Sequence, residues 1–324
     1  MAFMNTKKSA LFVKSGSALP ATPDNFFEQT AEFIVNPNPT ITEFKRISAK
    51  LGTTDSYTDA CHSTFTLTAN HQMLTSNKAG DALMTPPLYG EVLKVCGFNE
   101  VIDISTEDEE TVTYINSQTP TVGSAIANID GKQFNVENSL VGDASFTFEI
   151  GKPAILDASF SGFLDNNGIP TDTALPDVEL ADEDLVFVTC TDIFMADGST
   201  VVADKITISM NPEIEEYYAL GLKEFSINDY AIKITASFLV DSADYADAMT
   251  KLIGGTVETI DIKLNTNDAG ELVNGKSLNI LAGLAKASAS TDSIDKSRLK
   301  RDFTWLVQGN SAGENLKIIH GFFS

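Results

Sequence analysis

Gly270-Glu271-Leu272-Val273-Asn274-Gly275-Lys276-Ser277 fits the G-x-x-x-x-G-K-S pattern. In that pattern backbone N–H groups cradle phosphates, the lysine reaches the terminal ones and the serine hydroxyl holds Mg²⁺. Lys276 and Ser277 would carry those two roles. The chemistry also demands a strand directly before the loop, a helix after it and a sheet that supplies an acidic metal partner. Here Asn265 to Ala269 separates the loop from the strand predicted over Val257 to Leu264. Only 47 residues follow Ser277, and no alternating strand and helix series surrounds it. A polar hairpin turn is the stronger reading, with a P-loop nucleotide-binding enzyme as a remote alternative.

Gly309-Asn310-Ser311-Ala312-Gly313 fits G-x-S-x-G. A nucleophile elbow needs a helix after the serine, yet Leu316 to Phe323 reads as a strand, which makes the segment a hairpin turn between strands. His320 lies on that last strand with no implied triad. His62 and His71 are the other histidines, near Cys61, and their spacing matches no four-ligand zinc site. The acidic runs Glu107-Asp108-Glu109-Glu110 and Asp182-Glu183-Asp184 lack the alternation of a calcium loop. They read as solvated loops, or more sharply as the lining of a channel that repels DNA. The sequence therefore offers no catalytic, cofactor-binding or metal-ligating set.

Composition points away from several partners. The 324 residues carry 45 acids against 22 bases, a net charge of −23. Gripping nucleic acid or an anionic membrane takes Lys and Arg, so both are disfavoured. Three scattered cysteines, Cys61, Cys96 and Cys190, form no paired framework and predict reduced thiols. No stretch reads as a signal peptide or a membrane anchor.

The elements that would position any chemistry are strands. Phe65, Leu67 and Ala69 alternate with Thr64, Thr66 and Thr68, the period of a half-buried strand. A polar loop over Asn70 to Thr85 follows, then a helix over Pro87 to Cys96 with Thr85 as N-cap and Gly97 as left-handed C-cap. Leu88, Tyr89, Val92, Leu93 and Cys96 form its apolar stripe. Strands are predicted at 100–104, 112–115, 132–136, 144–150 and 154–163, with Phe146, Phe148, Phe160 and Phe163 in the core. After the polar stretch Asp165 to Asp184 come strands at 185–188, 205–210 and 232–238. A second helix over Ala243 to Ile253 follows, N-capped by Ser242, and then strands at 257–264, 277–285, 302–307 and 316–323. Strand, short helix, strand thus occurs twice, which predicts a duplicated β architecture. Residues 1–40, broken by Pro20, Pro23, Pro37 and Pro39, read as an arm; 41–165 as a first β domain, 166–184 as a linker and 185–324 as a second.

Cys61-His62-Ser63-Thr64-Phe65-Thr66-Leu67-Thr68, a loop, then Pro86-Pro87-Leu88-Tyr89-Gly90-Glu91-Val92-Leu93-Lys94-Val95-Cys96-Gly97-Phe98 resembles the tail tube proteins of tailed bacteriophages. Gly151-Lys152-Pro153 feeding a strand to Phe160-Ser161-Gly162 is similar to a second feature of that family, and Lys205 to Met210 and Ile232 to Phe238 look like its strands. The resemblance implies a mainly β fold: two tandem tail-tube-type β-sandwich or barrel domains, each with one flanking helix. It implies a non-enzymatic virion protein without cofactors, assembled in the host cytoplasm. Its copies would form stacked rings around a channel through which DNA passes, three chains per pseudo-sixfold ring if the duplication is real and six if not. The implied partners are further copies, tail tip or baseplate, tape measure and tail terminator proteins, and a sheath if the tail contracts. Residues 1–40 and the loop Asn70 to Thr85 would contact the next ring. Another tail or baseplate component, or a host-binding β protein of a virion, is the alternative.

Overall fold

The structure is a computed structural model that describes residues 9–16, 18–20, 33–45, 54–72, 84–103, 110–116, 121–164, 169–174, 186–190, 192–219, 222–239, 250–269, 271–273, 277–295, 298–309 and 315–321. For 37–45, 54–72 and a few strand ends the description is of the backbone alone. The chain is mainly β. Its strands are β1 (Ser9–Ser15), β2 (Ile34–Lys45), β3 (Thr54–Gln72), β4 (Phe98–Asp103), β5 (Thr111–Asn116), β6 (Gly123–Ile129), β7 (Lys132–Glu149), β8 (Ile155–Leu164), β9 (Thr171–Asp172), β10 (Ile193–Ala196), β11 (Ser199–Thr200), β12 (Lys205–Ala219), β13 (Leu222–Leu239), β14 (Val257–Leu264), β15 (Ser277–Asp295), β16 (Arg298–Val307) and β17 (Lys317–Gly321). Among the described residues one helix, α1, spans Gly90–Val95, and residues 250–254 form a helical turn.

All the described ladders are antiparallel, and one order of strands occurs twice. The first set runs β1-β6-β7-β8-β3-β2. The second runs β10-β14-β15-β16-β13-β12. Each set begins in the chain with a single strand, continues with a long hairpin, passes a helical segment and ends with three successive strands. The pairings correspond residue by residue. Phe160 stands opposite Leu67 and Val141, and Phe303 stands opposite Ala236 and Ser290. The β4–β5 pair is an insertion in the first set, and β17 lies between β5 and β15.

β7 belongs to both sets. Its first half pairs with β6 as far as Ser139, and its last residues, Ala144 to Glu149, take β12 on the edge away from β8. Register shifts at Glu137/Leu140 and Val141/Asp143 fall between those stretches. Such bulges bend a strand and let it serve two ladders. The main core accordingly draws Phe146, Phe148 and Phe160 from the first set and Phe194, Phe303 and Trp305 from the second, together with Val92, Leu93 and Val95 of α1.

Alternation is the cause of the strands. In β7, Ala144, Phe146 and Phe148 are buried while Ser145, Thr147 and Glu149 are not, as the period of two requires. The turn between β10 and β11 is Asp197-Gly198, both at positive φ, which matches the right-handed twist of a two-residue hairpin. Gly97, at φ +90, closes α1 as expected.

Several expectations change. α1 begins at Gly90 and its N-cap is Tyr89, without a side-chain cap, so Thr85 does not start it. The Pro86-Pro87 pair places the chain in a turn first, and Gly90 N bonds Pro87 O at 2.8 Å. Pro37 and Pro39 do not end regular structure; both lie within β2, with a register shift between Asn38 and Thr40. β2 pairs only with β3 among the described strands, and an edge strand tolerates proline. β2 also runs across residue 40, where the arm was expected to end, and β3 continues to Gln72. The two strands expected at 132–136 and 144–150 are one bent strand. Residues 186–188 form no strand; Phe187 makes an isolated bridge to Pro153. Of the second helix, expected over Ala243 to Ile253, only residues 250–253 are described, as part of the helical turn; Ser242 and 243–249 lie outside the described residues.

Candidate functional site

Both helical segments are fastened to the sheet by the same chemistry. Lys94 Nζ lies 2.8 Å from Glu91 Oε1 and 3.1 Å from Glu100 Oε1. The Tyr114 hydroxyl donates to Glu100 Oε2 at 2.9 Å, and Ser15 N and Oγ donate to Glu91 Oε2 at 2.8 and 2.7 Å. In the second set Lys251 Nζ lies 2.8 Å from Glu258 Oε1, and the Trp305 indole N–H donates to Glu258 Oε2 at 2.7 Å. Burial works against the charge on Glu91, but the bonds from Lys94 and Ser15 outweigh it and hold the carboxyl below its usual range. Burial likewise opposes the charge on Lys94, and Glu91 and Glu100 raise it above the ordinary value. These carboxylates are matched by donors, which suits anchoring rather than proton transfer. The sequence carried a readable signal of the device: a lysine in each helical segment, then a glutamate early in the next strand.

His320 is buried on β17. Its Nε2 hydrogen-bonds the Tyr89 hydroxyl, and its ring meets the edges of Tyr89 and Tyr114 at centroid distances of 5.5 and 6.3 Å. Desolvation pushes its pKa down to about 3, so the imidazole is neutral. Nδ1 has no partner among the described residues. Ser311 lies outside the described residues. β16 and β17 follow one another along the same edge of β15, with Ala285 to Asp295 facing β16 and Ser277 to Leu281 facing β17. β16 and β17 therefore do not pair with each other as a hairpin, contrary to expectation, and residues 310–314 lie outside the described residues.

The loop before β15 is closed by its own side chains. Asn267 Oδ1 accepts the N–H groups of Ala269 and Glu271, both at 2.9 Å. Thr266 bridges Leu272. The buried Ser277 hydroxyl reaches Val273 O at 2.7 Å and Asn265 O at 3.1 Å. Ser277 opens a strand, whereas phosphate binding needs a helix N-terminus there. Gly270, Gly275 and Lys276 lie outside the described residues. Glu110 is buried rather than solvated and accepts Met84 N at 3.2 Å; 107–109 and 182–184 lie outside the described residues. His62, His71 and Cys61 lie on the backbone of β3, and their side chains are outside the description. Cys96 is buried and free, and Cys190 is exposed and free. Among the described residues no three His, Cys, Asp or Glu side chains gather as a metal site, and no helix is long and apolar enough to cross a membrane.

Several strand edges have no described partner, among them those of β1, β4, β2 and the end of β15. β2 has no described partner on the side away from β3. β15 takes β14 as far as Lys286, and beyond it the edge away from β16 has no described partner. Ile34 on β2 is 58% exposed and Ile294 on β15 is 80% exposed. Open edges with apolar side chains are sites for another strand.

No protein-family model matches this chain, and no curated protein matches it in sequence. The geometry of the edges, the anchored helices and the charge are therefore what bear on function.

Proposed function

We propose that the chain is the major tail tube subunit of a tailed bacteriophage: a structural virion protein whose copies form stacked rings with a central channel for DNA. In this reading the two sets of strands are two tandem tail-tube-type β-sandwich domains. The observation that carries it is β12 of the second set lying on β7 of the first. Within one chain, one unit joins the next by adding a strand to its sheet. Repeating that join between chains would close a ring, and ring closure removes exposed edges.

The net charge of −23 supports the same reading. DNA passing a wall needs a surface that does not bind it, and acidic side chains give that. Further copies, tail tip or baseplate, tape measure and terminator proteins are the partners this function entails.

Negative-stain microscopy of the concentrated, purified protein tests the proposal. Stacked rings or tubes with an axial channel are the expected result. A folded chain that remains monomeric at every concentration would overturn it. Association into a few-copy complex without tubes would favour a baseplate or host-binding component instead.

A further inference from the structure

The two sets of strands are equivalent in order, yet at one matching place the cover of an edge differs. On β7 the stretch Ala144 to Glu149 is covered by β12, with Phe146 opposite Ile208 and Ser145 opposite Ser209. The matching stretch of β15 is found through the hairpin partners. Ala144 faces Ala158 and Phe146 faces Leu156 in the first set, while Asp292 faces Arg301 and Ile294 faces Leu299 in the second. Phe146 and Leu156 are fully buried, whereas Ile294 is 80% and Leu299 37% exposed. An apolar pair that is core in one set is thus open in the other, and the missing cover is a strand in the place of β12.

The strand equivalent to β12 is β2. Ile34 stands opposite Thr68 as Lys205 stands opposite Ser237, and Pro37 stands opposite Phe65 as Ile208 stands opposite Ile234. β2 has no described partner on its outer edge, as β12 would have none there without β7.

We infer that β2 of one copy pairs antiparallel with the end of β15 in the next copy, repeating the join of β12 to β7. The register follows from the equivalence: Asn36 opposite Asp295, Pro37 opposite Ile294, Asn38 opposite Ser293. This deepens the assembly reading above and rests on it.

The chemistry of the two edges agrees. Asp292 would be covered by the new strand, and it already holds a bidentate pair with Arg301, Nε to Oδ1 at 2.7 Å and Nη2 to Oδ2 at 3.0 Å. Burying a carboxylate that already has its cation leaves no lone charge. Ile34, Val35, Asn36, Pro37 and Asn38 bring no charge of their own to the contact. Prolines 37 and 39 lack an N–H, so over residues 34–39 only Ile34, Val35, Asn36 and Asn38 bring amides to share between the two edges of β2. The contact is heterologous, one patch on a different patch, which is the kind that builds rings.

Disulfide trapping tests the register. Asn38→Cys and Ser293→Cys are made in separate chains in which Cys61 and Cys190 are serine. Directly opposed residues have Cβ atoms about 4.5–5.5 Å apart, within reach of a disulfide. Mixing the two chains under mild oxidation should give a covalent dimer, and the double variant a ladder of oligomers. The off-register pair Asn38→Cys with Ser288→Cys should give about tenfold less product. Ile294→Lys, on a side chain exposed in the single chain, should leave the fold intact and raise the concentration needed for assembly about tenfold or more. Rings that form with no Asn38–Ser293 crosslink and no effect of Ile294→Lys overturn this contact but leave the assembly reading standing. A folded protein that neither associates nor crosslinks overturns both.

Discussion

Trp305 donates its indole N–H to Glu258 at 2.7 Å, and neither residue is open to solvent. With Lys251 on the other carboxylate oxygen, Glu258 joins β14, β16 and the helical turn 250–254. Trp305→Phe should keep most of the packing and lose the bond to a buried charge, a cost of about 1.5–3 kcal/mol in urea unfolding. A loss below about 0.5 kcal/mol would mean that Lys251 alone satisfies the carboxylate.

Gly90 has no room for a side chain. A Cβ there would lie 2.7 Å from Tyr114 Cζ and closer still to the hydroxyl oxygen. Gly90→Ala should cost about 1–3 kcal/mol by overpacking. Because the nearest atom is the hydroxyl, adding Tyr114→Phe should recover part of it. A double-mutant cycle reads the coupling, and strict additivity would show that the two residues do not meet.

Burial holds the His320 pKa down at about 3 against an ordinary 6.5. The unfolded chain takes up this proton below pH 6.5 and the folded chain does not until about pH 3. The stabilisation is therefore complete above 6.5 and is lost as pH falls through that window, on the order of a few kcal/mol in all. His320→Gln should flatten the fall in unfolding free energy between pH 6.5 and 4 relative to the parent protein. Parallel pH profiles for the two would contradict the buried neutral imidazole.

The thiols should separate by rate. Cys190 is exposed, whereas Cys96 is buried in the core and its pKa is raised by desolvation, so little thiolate forms. Iodoacetamide at pH 8 should label Cys190 within minutes and Cys96 only once the chain unfolds, as mass spectrometry of peptides would report. Equal labelling of both in the folded protein would contradict the packing of α1.

Much of this fold is legible in the residues because its strands are half-buried. The alternation at Lys205 to Met210, Ile232 to Phe238 and Val257 to Leu264 marks strands directly, since one face meets the core. Phe146, Phe148, Phe160 and Phe163 read as core for the same reason. Pro37 and Pro39 read as breakers although they lie in β2, because a strand's tolerance of proline depends on whether its edge is paired, a fact of the neighbours and not of the segment. Residues 132–149 read as two strands because the bulges near Leu140 interrupt the alternation. The lysine-then-glutamate spacing of the anchors at Glu100 and Glu258 is local, but the bonds that complete them come from Tyr114 and Trp305 on other strands, which no local pattern marks. Open edges are the least legible of all, because occupancy is a property of the ladder and leaves no mark on composition.

β7 is shared by both sets of strands, and β17 joins β5 of the first half to β15 of the second. Neither half keeps a complete sheet once the other melts. Heating should therefore produce one calorimetric transition for the whole chain, and a protease that cuts between residues 174 and 186 should leave two fragments that stay together until denaturant separates them.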